Sequence, residues 1–170
     1  MSVASTALCS MDGAIVLTDG AALSLAIQIE EGNLQITGLR HKQRAPIVGK
    51  HRGRNAWFRE GEDQDFDVSF DATVVALLGD GTTAMLTDAF LRLGVWAAAT
   101  STLPSSTGDL YTLKLTFTGT RIAFGATANT TAVIKYLSGE LSFAEAMNGG
   151  KLSFKGTGHV YSTDYLTLTG

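Results

Sequence analysis

Apolar residues recur at every second position through most of this chain, a period that builds strands and excludes an all-helical fold. Leu23, Leu25, Ile27 and Ile29 share one face, with Ser24, Gln28 and Glu30 on the other. Glu31-Gly32-Asn33 supplies a turn, and Leu34 and Ile36 resume the alternation, so residues 22–37 read as a β-hairpin. Phe66, Val68 and Phe70 alternate with Asp65, Asp67, Ser69 and Asp71, which gives a strand with an acidic outer face. Leu113, Leu115 and Phe117 alternate with Thr112, Lys114, Thr116 and Thr118. Leu141 and Phe143 are expected to pair with Leu152 and Phe154 across the turn signal Asn148-Gly149-Gly150. Abundant Thr, with 19 Gly and only 2 Pro, suits antiparallel strands joined by tight turns.

One segment departs from this period. Met85, Leu86, Ala89, Phe90 and Leu93 fall at helical spacing and predict a helix over 82–93. Asp80 and Thr82 are its candidate caps, and Gly94 can end it. Leu103 to Asp109 has the composition of an exposed loop. At 170 residues and 45% hydrophobic, the chain suffices for one domain with one core. It shows no linker and no repeat of solenoid length. The expected fold over 1–170 is mainly β: an antiparallel β-sandwich or partly open barrel with one flanking α-helix. A long charged hairpin or loop, 38–64, protrudes from it.

That protruding segment sorts its charge into two blocks. Arg40, Lys42, Arg44, Lys50, Arg52, Arg54 and Arg59 are seven of the 13 Lys+Arg, and none precedes Arg40. Glu60, Glu62, Asp63, Asp65, Asp67 and Asp71 follow directly. Pro46, Ile47, Val48, Trp57 and Phe58 give the basic block little apolar grip of its own. A solvated basic segment leading into an acidic strand fits a contact with another copy of the chain, with Trp57 and Phe58 as apolar anchors and the acidic residues as partners. The plainer reading is a hairpin tip charged for solubility. A net charge of −3 argues against general nucleic-acid binding, which needs surplus Lys and Arg.

Several patches imitate chemistry and fail a check. Gly79-Asp80-Gly81-Thr82-Thr83-Ala84 matches a loose dinucleotide fingerprint, but that site needs parallel β-α-β units and an acidic residue where this chain has Ala97 to Thr102. Asp63-Gln64-Asp65-Phe66-Asp67 starts like a calcium loop, yet Val68 and Val74 occupy the positions that require Gly and Glu. His41, His51 and His159 lack zinc-ligand spacing, and the lone Cys9 excludes an internal disulfide. Glu140 and Glu145 could converge only through the fold. Trp57 or Tyr161 and Tyr165 could serve as sugar-stacking platforms, while Trp96 fits behind the helix. No catalytic set, metal or cofactor is expected, and the chain is not expected to be an enzyme. The longest apolar run, Ala72 to Leu78 broken only by Thr73, is far too short to span a membrane, so synthesis in the cytoplasm as a soluble chain is expected.

The whole-chain layout resembles a known family. A short N-terminal strand leads through Asp19-Gly20 to the hairpin Ala22–Thr37 with its Glu-Gly-Asn turn, then through a long polar loop into the acidic strand. One amphipathic helix and a long strand pair follow, closing on Leu152-Ser153-Phe154-Lys155-Gly156-Thr157-Gly158. This order is similar to that of the tail tube (major tail) proteins of long-tailed bacteriophages. The resemblance implies a non-enzymatic virion subunit, assembled in the host cytoplasm, whose hexameric rings stack into the tail tube that conducts DNA during ejection. It also implies contacts with other tail proteins at the tube ends, passage of DNA without specific binding, and no membrane insertion. Type VI secretion tubes share this architecture. Duplex DNA carries a negative charge about every 1.7 Å of axis, so an acidic lumen face would let it slide and a basic one would hold it. A reading from another class is a β-sandwich that binds carbohydrate or a cell surface, as a receptor-binding or capsid decoration protein. Self-assembly without ligand separates the two.

Overall fold

The computed structural model describes residues 12–27, 34–39, 44–48, 55–60, 64–74, 84–104, 110–123, 126–146 and 149–169. The strands are β1 (Asp12–Thr18), β2 (Ser24–Ile27), β3 (Gln35–Thr37), β4 (Arg44–Val48), β5 (Asn55–Glu60), β6 (Phe66–Val74), β7 (Leu113–Ala123), β8 (Ala126–Ala146), β9 (Gly149–Gly158) and β10 (Leu166–Thr169). Helix α1 (Leu86–Leu91) and a 3-10 turn (Gly94–Trp96) lie between β6 and β7. Eight strands form one antiparallel sheet in the order β2-β1-β7-β8-β9-β6-β3, with β10 added on β8. The fold is the mainly β, open-sheet architecture expected, with a single α-helix among the described residues.

Alternation sets which face is inside. Ile15 and Leu17 of β1 sit opposite Phe117 and Leu115 of β7, and Leu115 sits opposite Ile134 of β8. Phe66, Val68, Phe70 and Ala72 of β6 face inward beside Leu152 and Phe154 of β9. These residues, with Ile27, Leu86, Ala89 and Trp96, make one continuous core. Strands from both ends of the sheet order pack on that core, Ile27 from β2 and the half-buried Ile36 from β3.

Among the described residues, the two arms of the expected 22–37 hairpin do not pair with each other. β2 pairs with β1 and β3 with β6, at opposite ends of the sheet. The alternation was legible because it selects a face; it does not select a partner. The competing turn at Asp19 wins. The Asp19 carboxylate accepts the N–H groups of Ala21 and Leu23, and across the molecule that of Thr100. This folds β2 back onto β1 and pins the corner to the segment after α1.

The helix is shorter than the 82–93 expected. Met85 is the N-cap, and the nearly buried Asp88 carboxylate accepts its backbone N–H at 2.9 Å. Arg92, at φ 55, ends the helix in the left-handed conformation, before Gly94 is reached. Gly94, at φ +52, opens the 3-10 turn that buries Trp96. The candidate caps Asp80 and Thr82 lie outside the described residues.

β8 carries the longest ladder. Leu113 pairs with Leu137 and Leu115 with Ile134, so two steps along β7 meet three along β8. This bulge at Lys135 and Tyr136 changes which residues point inward, from Ala132 and Ile134 before it to Leu137 and Leu141 after it. Beyond the bulge the β8–β9 hairpin has the expected register, Leu141 opposite Phe154 and Phe143 opposite Leu152.

Candidate subunit-contact surfaces

The basic segment is a strand pair where it is described. β4 and β5 form their own two-stranded sheet, with Arg44 opposite Glu60, Ala45 opposite Arg59, Pro46 opposite Phe58 and Ile47 opposite Trp57. A bulge between Ile47 and Val48 adds local twist. The Arg44–Glu60 register places opposite charges at directly facing positions. Arg40, Lys42, Lys50, Arg52, Arg54, Glu62 and Asp63 lie outside the described residues.

The acidic strand divides into three situations. Asp71 of β6 is bridged to Lys151 of β9 at 2.6 Å and accepts the Ser153 hydroxyl. Asp67 is exposed. Asp65, just before β6, accepts the Val160 N–H at 3.0 Å and contacts His159 Nδ1 at 2.7 Å. Asp65 and Asp71 therefore tie β6 to the neighbouring strand within the chain, while Asp65 and Asp67 are both exposed to solvent.

A second surface is an open strand edge. β7 leaves β8 at Leu137, while β8 runs on to Ala146 with β9 on its other side. His159 N–H donates to the Tyr136 carbonyl, which fixes the phase of the ladder: Tyr136, Ser138 and Glu140 turn their backbone groups toward β9. Gly139, Leu141 and Phe143 then turn theirs to the edge beyond β7, where no strand pairs with them among the described residues. Phe143 is 49% exposed there. A third surface is apolar: Leu91, Leu93 and Val95, around the end of α1, are all exposed, as is Leu110.

The aromatic platforms differ in access. Tyr165 packs against the Phe66 ring at 5.8 Å, whereas Tyr161 is half exposed and stands edge-on to Tyr136. Trp96 is in the core. The loop carrying Tyr161 is held to β8 by Lys135, bridged to Asp164 at 2.6 Å, and by the hydrogen bond between Tyr136 and Ser162. The Lys135 ammonium is raised in pKa by its hydrogen bond to Asp164. The Asp164 carboxyl is lowered by its hydrogen bonds to Lys135 and Ser162.

One cluster had no signal in the sequence. His159 reaches Asp65 through Nδ1 and Ser138 through Nε2 at 2.6 Å. Residues so far apart in sequence meet only because β6, β9 and β8 are neighbours, and no spacing rule could have joined them. No group of three or more His, Cys, Asp or Glu able to hold a metal occurs among the described residues. No described helix is long and apolar enough to cross a membrane.

No protein-family model and no curated protein matches this sequence. The fold is similar to that of a chain in the cryo-EM structure of the anti-feeding prophage (AFP) baseplate, 6-fold symmetrised, with a TM-score of 0.51. The likeness covers 100% of this chain and 98% of that one at 10% sequence identity, and at that identity it is a likeness of fold.

Proposed function

We propose that this protein is a structural tail protein of a phage or phage-derived particle, a subunit that self-assembles into stacked hexameric rings forming a tail tube. The observation that carries this reading is the likeness of fold, end to end, to a chain of a six-fold symmetrised prophage baseplate. A head-to-tail ring needs two different surfaces that complement each other and close by rotation. The β8 edge at Gly139, Leu141 and Phe143, which no strand pairs with among the described residues, supplies one of them, since strand addition satisfies open backbone groups. The apolar patch of Leu91, Leu93 and Val95 is the kind of surface that association covers.

Stacking falls to the segment containing β4 and β5, which crosses to the adjacent ring and presents Arg44, Trp57, Phe58 and Arg59. The inner wall carries more acidic than basic side chains, so that DNA passes during ejection without being held. Ends of the tube meet other tail proteins, and the assembled protein resides in the virion tail. Negative-stain electron microscopy of the concentrated protein, without any ligand, should show hollow tubes with six-fold end views. Compact particles without a channel would refute the tube, and a lumen lined by Arg40, Arg44, Arg52 and Arg54 would refute the sliding wall.

A further inference from the structure

Asp65, His159 and Ser138 lie in a row across the outer face of β6, β9 and β8, on the side away from the core. The Asp65 carboxylate has two fixed partners: Oδ1 accepts the Val160 N–H at 3.0 Å and Oδ2 meets His159 Nδ1 at 2.7 Å. A carboxylate can only accept, so Nδ1 carries the proton and Nε2 of the neutral ring is left as an acceptor. The Ser138 hydroxyl is 2.6 Å from that nitrogen and is the donor. The backbone of His159 is held as well, its N–H donating to the Tyr136 carbonyl at 2.8 Å. Nucleophile, base and orienting acid thus stand in the order that activates a serine hydroxyl, Ser138 within β8, His159 just after β9 and Asp65 just before β6.

Two further features belong to the same chemistry. Gly139, the residue after Ser138, turns its backbone N–H to the open β8 edge, a free donor among the described residues for a developing oxyanion. The half-exposed Tyr161, edge-on to Tyr136, gives an apolar surface on the loop that follows His159.

We propose that Ser138 is an activated nucleophile that accepts the acyl group of small esters, with His159 as its general base and Asp65 as the positioning residue. The Ser138 Oγ–H proton passes to His159 Nε2 as Oγ bonds to the ester carbonyl carbon. The ester C–O bond then breaks, and the departing alkoxide takes the proton from Nε2. Water, deprotonated by the same nitrogen, attacks the acyl-serine, releases the carboxylic acid and restores the hydroxyl.

The test is labelling of the intact protein with a small alkyl fluorophosphonate, followed by peptide mass spectrometry. Oγ bonds to phosphorus, fluoride leaves, and the proton goes to His159. Wild type should be labelled at Ser138, and Ser138→Ala should lose the label at an unchanged melting temperature. His159→Gln should slow labelling about 100-fold or more, the usual contribution of a general base. The positioning role has its own signature: a downfield Nδ1 proton resonance that Asp65→Asn abolishes and Ser138→Ala retains. An unlabelled Ser138 in the wild type, or equal labelling rates in wild type and His159→Gln, overturns the proposal. Neither result bears on tube assembly, which microscopy reads separately.

Discussion

Phenylalanine rings press against glycines on the inner face of β8 and β9, and these contacts leave no room for a methyl group. A Cβ at Gly156 would stand 2.3 Å from the Phe154 ring and 2.5 Å from the Ser138 carbonyl oxygen. At Gly158 it would stand 2.2 Å from the Phe66 ring. Gly156→Ala should therefore destabilise the subunit by about 1–3 kcal/mol, the range for overpacking a filled core, read as a lower urea midpoint at an unchanged slope. Tyr111 offers a second residue-scale check. Its hydroxyl donates to the Ala89 carbonyl at 2.9 Å, and burial pushes its pKa up to about 12 from an ordinary 10.0, against the opposing charge of Arg92. Below pH 10 both folded and unfolded states keep the proton. Between 10 and 12 the unfolded state loses it first, so this residue's contribution to stability falls as pH rises through that window. An ultraviolet phenolate titration should show a late phase that Tyr111→Phe removes.

Strands that alternate cleanly can still serve different ends, and the open edge of β8 separates folding from association. The N–H of Phe143 points away from β9, so Phe143→Pro removes a donor that no ladder among the described residues uses. That variant should remain a folded monomer by circular dichroism and fail to assemble in sedimentation, whereas loss of the fold itself would show that the edge is covered within the subunit. The same strands show what was legible beforehand. The inner faces of β6 and β7 and the β8–β9 register followed from Phe66, Val68, Phe70, Leu113, Leu115, Leu141 and Phe154, because burial on one face enforces a period of two. The partner of β2 was not legible, since a distant hydrogen bond from Thr100 to Asp19 helps fix that corner. Nor was the cluster of Asp65, Ser138 and His159, whose members are brought together by strand order alone.

Seen whole, the described chain is an eight-stranded sheet and a separate two-stranded one, and the two should answer to different perturbations. An isolated two-stranded hairpin is marginal in water, so β4 and β5 have most to gain from a neighbouring copy. Trp57→Ala should cost assembly about 2 kcal/mol or more per contact while shifting the monomer melting temperature little, measured by sedimentation and calorimetry on one preparation. A large fall in melting temperature with assembly intact would make Trp57 part of the subunit's own fold. The bulge at Lys135 and Tyr136 has a further consequence, one of parity. Deleting one residue there would swap odd for even all along the arm that follows, turning Leu137 and Leu141 to water and Ser138 and Glu140 into the core. Residues added two at a time to β8 and to β9 together keep both the register and the faces. Over a lineage, this arm is free to change its reach at the tip and is forbidden to change its count at the root.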